Sequence, residues 1–312
     1  MAYLNEISHT FKLMNTEVTG IICETSENRV TAAQALGKME LLFRLIVRTL
    51  SRFDEGSELS LLNLSAGQPF RASGLLFEVV EAALEAACLT EGIFDPTILP
   101  CMLAAGYDRS FEKLEPGTAE NKNHEGKCDW RKILLRPGDN IIYLPQGCSL
   151  DLGGIGKGWA VDQAYAFLKN YSDFAIDAGG DIRVKGRQSD RTPWNIGVAD
   201  PRGGKTDVAI LNVDSGAVCT STTMKRKWQA GGQPRHHLID PRTGEPSDSG
   251  VISATVSAPT TTRAEVLAKA ALIAGPIRGL QLIEKQSGCQ GLLILEDGAL
   301  LSVGLGEVQR VA

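Results

Sequence analysis

The run Asp151-Leu152-Gly153-Gly154-Ile155-Gly156-Lys157-Gly158-Trp159-Ala160-Val161-Asp162 constrains the fold most, because four glycines fall within six residues just ahead of helix-forming sequence. Glycine lets a backbone take positive φ and pass close to a neighbour or a ligand. The segment therefore reads as a short strand ending near Asp151, a tight turn, and a helix from Gly158 to Asn170. The turn has two readings. Either its glycines serve packing alone, or the free N–H groups at the helix start receive an anion, with Lys157 adding a point charge. Two nucleotide signatures are not met: Gly158 stands where a Walker A loop needs Ser or Thr, and Trp159 replaces the last glycine of G-x-G-x-x-G.

The rest of the chain surrounds this turn with mixed elements. Leu36, Met39, Phe43, Ile46, Val47 and Leu50 recur at helical spacing within Thr31 to Phe53, where Thr31 and Gln34 make a capping box. A second helix is expected from Ser73 to Leu89, stopped by Gly92. Lys132 to Arg136 and Ile141 to Leu144 flank Pro137-Gly138-Asp139 as a hairpin. Strands are expected over Phe174 to Ile176, Asp181 to Val184, Trp194 to Val198, Val208 to Val213, Val251 to Val256, Leu292 to Leu295 and Ala299 to Val303, with a helix from Thr262 to Ile273. The order shows no regular βαβ repeat and no Pro/Ser-rich linker. The expectation is an α+β fold with mixed or antiparallel sheets flanked by helices, one domain over residues 1–312.

Composition narrows the function. A net charge of -5, with no basic run longer than Lys225-Arg226-Lys227, argues against a general nucleic-acid or anionic-membrane surface. The seven cysteines are odd in number and contain no Cys-x-x-Cys pair, so they read as free thiols in a reducing compartment. With only His9, His124, His236 and His237 available, any metal is expected to be held by oxygen rather than by a histidine cluster. Neither a signal-peptide pattern at the start nor a membrane-length apolar run is visible, so the chain as written reads as a soluble cytoplasmic protein without membrane insertion.

Three further constellations carry polar chemistry. Arg235-His236-His237-Leu238-Ile239-Asp240-Pro241-Arg242-Thr243-Gly244 is a strand running into a turn, and its histidines serve either catalysis or structure. Phe94-Asp95-Pro96-Thr97 follows the second helix, with Asp95 either orienting a ligand or capping a turn. Thr220-Ser221-Thr222-Thr223 offers hydroxyls to a phosphate or packs as a polar loop.

In this order the segments resemble the ApbE-like FAD:protein FMN transferases, from Met14 to about Leu292. Met14-Asn15-Thr16 sits where that family has Met-Gly-Thr, followed by Ser51-Arg52-Phe53 with Ser57 to Asn63, Phe94 to Pro100, Asp151 to Asp162, Ala178 to Ile182, Thr220-Ser221 and His237 to Gly244. The resemblance implies a magnesium-dependent enzyme that takes FAD as substrate and attaches FMN to a threonine of an acceptor flavoprotein, releasing AMP. By position it implies FAD contacts from Met14, Phe94, Asp95, Asp151, Lys157 and Ile239, with Thr220 and Ser221 as further binding residues. It makes His237 the proton carrier with Asp240 beside it, and the Gly154 carbonyl a magnesium ligand.

One departure stands out. The family's carboxylate and threonine metal ligands, four residues apart on the last helix, correspond to Glu265 and Lys269. Glu offers oxygen to magnesium, whereas a protonated Lys cannot ligate it. Lys269 is instead expected to pair with Glu265 at i, i+4 or to reach a phosphate, and Thr262 with Glu265 also fits a capping box. Two alternatives follow: an FAD-binding or storage protein without transfer, and an FAD pyrophosphatase giving FMN and AMP.

Overall fold

The structure, a computed structural model, describes residues 5–113, 128–204, 206–230 and 232–305. His124 lies outside them.

The chain opens with β1 (Asn5–Leu13) and β2 (Thr16–Glu24), an antiparallel hairpin not anticipated from the sequence. Leu13 pairs with Thr16, so the loop has only two residues, and Met14 (φ 54°) and Asn15 (φ 56°) both adopt the left-handed conformation that such a loop demands. Asn accepts that conformation readily, which explains how it stands where the resembled family has glycine.

α1 (Arg29–Leu50) buries Ala32, Leu36, Met39, Phe43 and Ile46 on one face. The expected Thr31–Gln34 capping box does not form. A 3-10 turn over Ser26–Asn28 starts the helix earlier, and Asn28 becomes the N-cap while its amide donates to Glu24. Next come α2 (Glu58–Leu64), β3 (Pro69–Arg71), α3 (Gly74–Leu89) and α4 (Leu99–Ala104). Ser73 Oγ caps α3 by accepting from the Leu76 amide. The helix ends when Glu91, at φ 56°, turns the chain so that Gly92 N–H reaches Ala87 O and Glu91 N–H reaches Cys88 O.

β4 (Leu134–Arg136) and β5 (Ile141–Tyr143) form the expected hairpin, and β3 joins them as a third strand. The strand expected before Asp151 is absent. Asn63 takes a neighbouring strand's part instead, since its side-chain amide donates to Leu150 O at 2.9 Å and accepts from Leu150 N–H at 2.7 Å.

The second half holds α5 (Gly156–Leu168), β6 (Phe174–Ala178), β7 (Asp181–Lys185), β8 (Trp194–Ala199), β9 (Asp207–Val213), β10 (Ser215–Thr222), β11 (Lys227–Ala230), β12 (Gln233–His236), β13 (Val251–Ala258), α6 (Thr261–Ala274), α7 (Pro276–Glu284), β14 (Gln290–Leu295) and β15 (Leu300–Val303). Among the described residues, eight strands make one antiparallel sheet in the order β1-β2-β6-β7-β10-β13-β14-β15. The α+β class expected from the sequence is the one observed.

Helices cover one face of this sheet in strand order: α1 on β1 and β2, α5 on β6 and β7, α6 on β10 and β13, α7 on β14 and β15. The β8–β9 ribbon covers the centre of the other face. Phe174 and Ile176 accordingly pack with the helices while Ala175, between them, packs with Trp194 and Ile196. Among the described residues no helix is long and apolar enough to cross a membrane.

Candidate active site

The Gly-rich turn is fixed where α5 meets α6. Asp162 on α5 accepts the N–H groups of Thr261 and Thr262, each at 2.9 Å, and the Thr262 hydroxyl at 2.6 Å, which satisfies the exposed donors at the start of α6. Thr260 is the N-cap, accepting from Arg263 N–H, so the expected Thr262–Glu265 capping box is not made. Glu265 turns toward α5 and its Oε2 accepts the Gly158 N–H at 2.7 Å.

That contact explains one glycine directly. A Cβ on Gly158 would lie 2.7 Å from Thr261 O and 2.9 Å from Glu265 Oε2, and one on Gly154 would lie 2.9 Å from the Phe94 ring. Gly156 differs, with its nearest such neighbour at 4.0 Å.

Four charges meet beneath the turn. Glu265 is fully buried, with Lys269 Nζ at 2.9 Å and Lys157 Nζ at 3.9 Å from its Oε1, and Lys157 also pairs with the buried Asp181. Burial lifts the Glu265 carboxyl above its ordinary value, with Lys269 opposing the shift. Burial works against the charge on Lys157, but Asp181 and Glu265 outweigh it and hold the ammonium above its ordinary value. The i, i+4 pairing of Lys269 with Glu265 is as expected. Lys157 and Lys269 line the cleft; Glu265 lies behind them.

The wall next to the turn is cross-braced. Asp151 N–H donates to Pro96 O at 2.9 Å, joining the turn to the Phe94–Thr97 loop, where Asp95 Oδ1 accepts from the amide and hydroxyl of Thr97. Asp151 forms a buried ion pair with Arg52 at 2.6 Å, and Arg52 also donates to Tyr107 O and lies over the Phe53 and Tyr107 rings. Met14 reaches the same cleft from the β1–β2 loop. That loop is itself backed by Gly179, where a Cβ would meet Thr16 Oγ1 at 2.0 Å.

The facing segment is 237–241. The paired histidines separate at the end of β12: His236 Nε2 meets Ser247 O at 3.0 Å, whereas His237 faces the cleft. His237 Nδ1 is buried without a hydrogen-bond partner among the described residues. Burial first, then the Arg226 and Lys269 cations, hold His237 well below its ordinary value, so its imidazole is neutral near pH 7.

Of the residues singled out from the sequence, Met14, Phe94, Asp95, Asp151, Gly154, Lys157, His237, Ile239 and Lys269 line one cleft. Four do not. Asp240 is engaged by Arg242 through a two-pronged pair at 2.9 and 2.7 Å, and Arg242 also donates to Ile273 O, so this carboxylate holds the turn rather than facing the cleft. Thr220 and Ser221 belong to β10 in the sheet, not to a loop, and Thr220 Oγ1 meets Thr255 Oγ1 at 2.8 Å. Glu265 is the fourth. Arg52, Tyr107 and Arg226 also line the cleft and were not expected there, although Arg226 sits in the basic run Lys225-Arg226-Lys227 and Arg52 in Ser51-Arg52-Phe53.

The model of the ApbE family matches residues 14–293. The FAD:protein FMN transferase of Treponema pallidum is 30% identical over 94% of this chain and 87% of its own length, and that of Vibrio cholerae is 29% identical over 75% and 72%. The crystal structure of the ApbE protein from Thermotoga maritima superposes with a TM-score of 0.83 at 28% identity, covering 96% of this chain and 97% of the other. The apo flavinyl transferase ApbE of Pseudomonas stutzeri, at 21% identity, shares the fold with the same TM-score over 96% and 95%.

Proposed function

The chain belongs to the ApbE family, and from that premise we propose how its cleft performs the work of an FAD:protein FMN transferase. The reaction moves the FMN half of FAD to an acceptor protein. The acceptor group is a threonine hydroxyl: its oxygen attacks the FMN phosphorus, the pyrophosphate P–O bond breaks, and AMP leaves with that bridging oxygen. His237 receives the hydroxyl proton. A neutral, cleft-facing imidazole with an unpartnered Nδ1 is the observation that carries this reading, because a base must be deprotonated and uncommitted before the substrate arrives.

The remaining residues hold and orient. Lys157 and Lys269 present positive charge to the diphosphate, Met14, Phe94 and Ile239 supply apolar surface for the flavin, and the Arg52–Asp151 pair fixes the turn beside it. The magnesium implied by the resemblance does not fit these residues. Both Glu265 oxygens are engaged, one by Gly158 N–H and one by Lys269, and Lys269 brings an ammonium where the family has a hydroxyl. No group of three or more His, Cys, Asp or Glu side chains is gathered for a metal among the described residues.

Incubating the protein with FAD and an acceptor domain bearing a threonine tests the reading by intact mass. An FMN-sized gain on the acceptor with stoichiometric AMP is expected. AMP release at the same rate without acceptor would instead make the protein an FAD hydrolase, and bound FAD that stays whole would make it a carrier.

A further inference from the structure

The four charges beneath the turn are sorted by depth. Glu265 and Asp181 are 0% and 2% exposed, whereas Lys269 and Lys157 are 13% and 19% exposed and both line the cleft. The set sums to zero, yet the side that a ligand meets is positive. Resting on the flavin reading above, we propose that Lys269 is a built-in cation and that this chain binds the diphosphate of its nucleotide through Lys269 and Lys157 without a divalent metal.

The carboxylate makes this possible. Glu265 spends Oε2 on the Gly158 amide, which ties it to α5, and Oε1 on Lys269, which holds the ammonium at the cleft wall. An ammonium has three N–H donors and no acceptor, so Lys269 keeps donors for phosphate oxygens after serving Glu265. The two ammonium groups, on the ligand's side of their carboxylate partners, offer their remaining N–H donors to the two phosphates of a diphosphate. A divalent ion drawn to the same carboxylate would meet both lysines, since each Nζ lies within 4 Å of the oxygen it would need. Lys269 thus occupies the place and supplies the charge of a metal while remaining covalently fixed.

The test is FAD affinity by quenching of flavin fluorescence, in EDTA and across a magnesium titration, with riboflavin as a probe that lacks phosphate. Wild-type protein is expected to bind FAD equally in both conditions. Replacing Lys269 alone leaves Glu265 buried without its partner, so the informative variant is K269M/E265Q, which removes both charges, with its melting temperature measured alongside and Lys269→Arg as a charge-keeping control. K269M/E265Q is expected to lose about tenfold or more in FAD affinity while riboflavin affinity holds, and Lys269→Arg is expected to stay close to wild type. Loss of wild-type FAD binding in EDTA, or equal weakening of FAD and riboflavin in folded K269M/E265Q, overturns the proposal. Failure of the wild-type protein to bind FAD or riboflavin with or without magnesium overturns the flavin reading itself.

Discussion

The two sides of the cleft are built on opposite principles. On the side of the Gly-rich turn, the charged groups have internal partners: Asp151 has Arg52, Lys157 has Asp181, and Glu265 has both Lys269 and the Gly158 amide. On the facing segment His237 keeps Nδ1 without a partner among the described residues. Groups satisfied within the protein hold their geometry before the ligand arrives. An unsatisfied buried group is costly to stability and is retained where a ligand completes it. The turn side therefore behaves as a preset electrostatic frame and the facing side as the reactive element, and substitutions on the two sides should separate into losses of stability and losses of rate.

The largest effect is expected at His237. His237→Ala should lower FMN transfer about 10²- to 10⁴-fold while FAD affinity and melting temperature stay close to wild type. A variant that melts far earlier, or that transfers at the wild-type rate, would erase the distinction between the two sides. The pH profile sharpens the same point. Because burial and the nearby Arg226 and Lys269 cations depress His237, the base form persists below its ordinary value of 6.5, so the transfer rate should stay level as pH falls through 6.5 and decline only further down. Arg226→Gln removes one of those cations and should move the acid limb upward. Because the unfolded chain protonates first, the titration of this histidine removes no stability above 6.5 and progressively removes it as pH falls from 6.5 toward the lower folded value. His237→Ala should remove that part of the acid sensitivity in a melting series.

On the braced side the strongest break is Asp151→Ala, which strands a buried Arg52 guanidinium. A loss of about 3–5 kcal/mol is expected for removing one partner of a buried pair, seen as a lower denaturation midpoint. Replacing both residues with apolar ones should recover much of that loss, as Arg52→Met with Asp151→Leu leaves no charge unpaired. If the single variant is as stable as wild type, the pair is not part of the frame.

The sequence revealed the parts of this arrangement that are local. Helical spacing located α1, α3 and α6, and the glycine cluster located the turn, because periodicity and glycine act within a few residues. It did not show that Thr220 lies in a central strand, because β10 is satisfied by β7 and β13, strands brought from elsewhere in the chain. The strand expected before Asp151 failed for a similar reason: Asn63, 87 residues away, supplies its hydrogen bonds through a side chain. Thr262 with Glu265 matched a capping box in spacing, yet Asp162 from another helix claimed the threonine and Gly158 claimed the glutamate. At the cleft, motif order brought together residues from distant segments but did not distinguish the inward His237 from the turn-holding Asp240. That difference depends on Arg242 and on the backbone carbonyl of Ile273.

Within the turn, the glycines themselves separate frame from linker, and they provide the smallest and most discriminating pair of substitutions. Gly158→Ala would drive a methyl group to 2.7 Å from a backbone carbonyl and 2.9 Å from the Glu265 carboxylate, so α5 and α6 must part, at a cost of about 1–3 kcal/mol for an overfilled contact. The displaced Glu265 would also loosen Lys269, so FAD affinity should fall along with the denaturation midpoint. Gly156 begins the same helix, shows no positive φ, and has Leu50 Cδ1, at 4.0 Å, as the nearest atom to the added methyl outside its chain neighbours and the adjoining helix backbone. Gly156→Ala should accordingly spare the denaturation midpoint and alter stability by less than about 1 kcal/mol, in the stabilising direction, because alanine loses less backbone freedom in a helix. Equal losses from both substitutions would mean that the whole turn, rather than the single contact at Gly158, carries the frame.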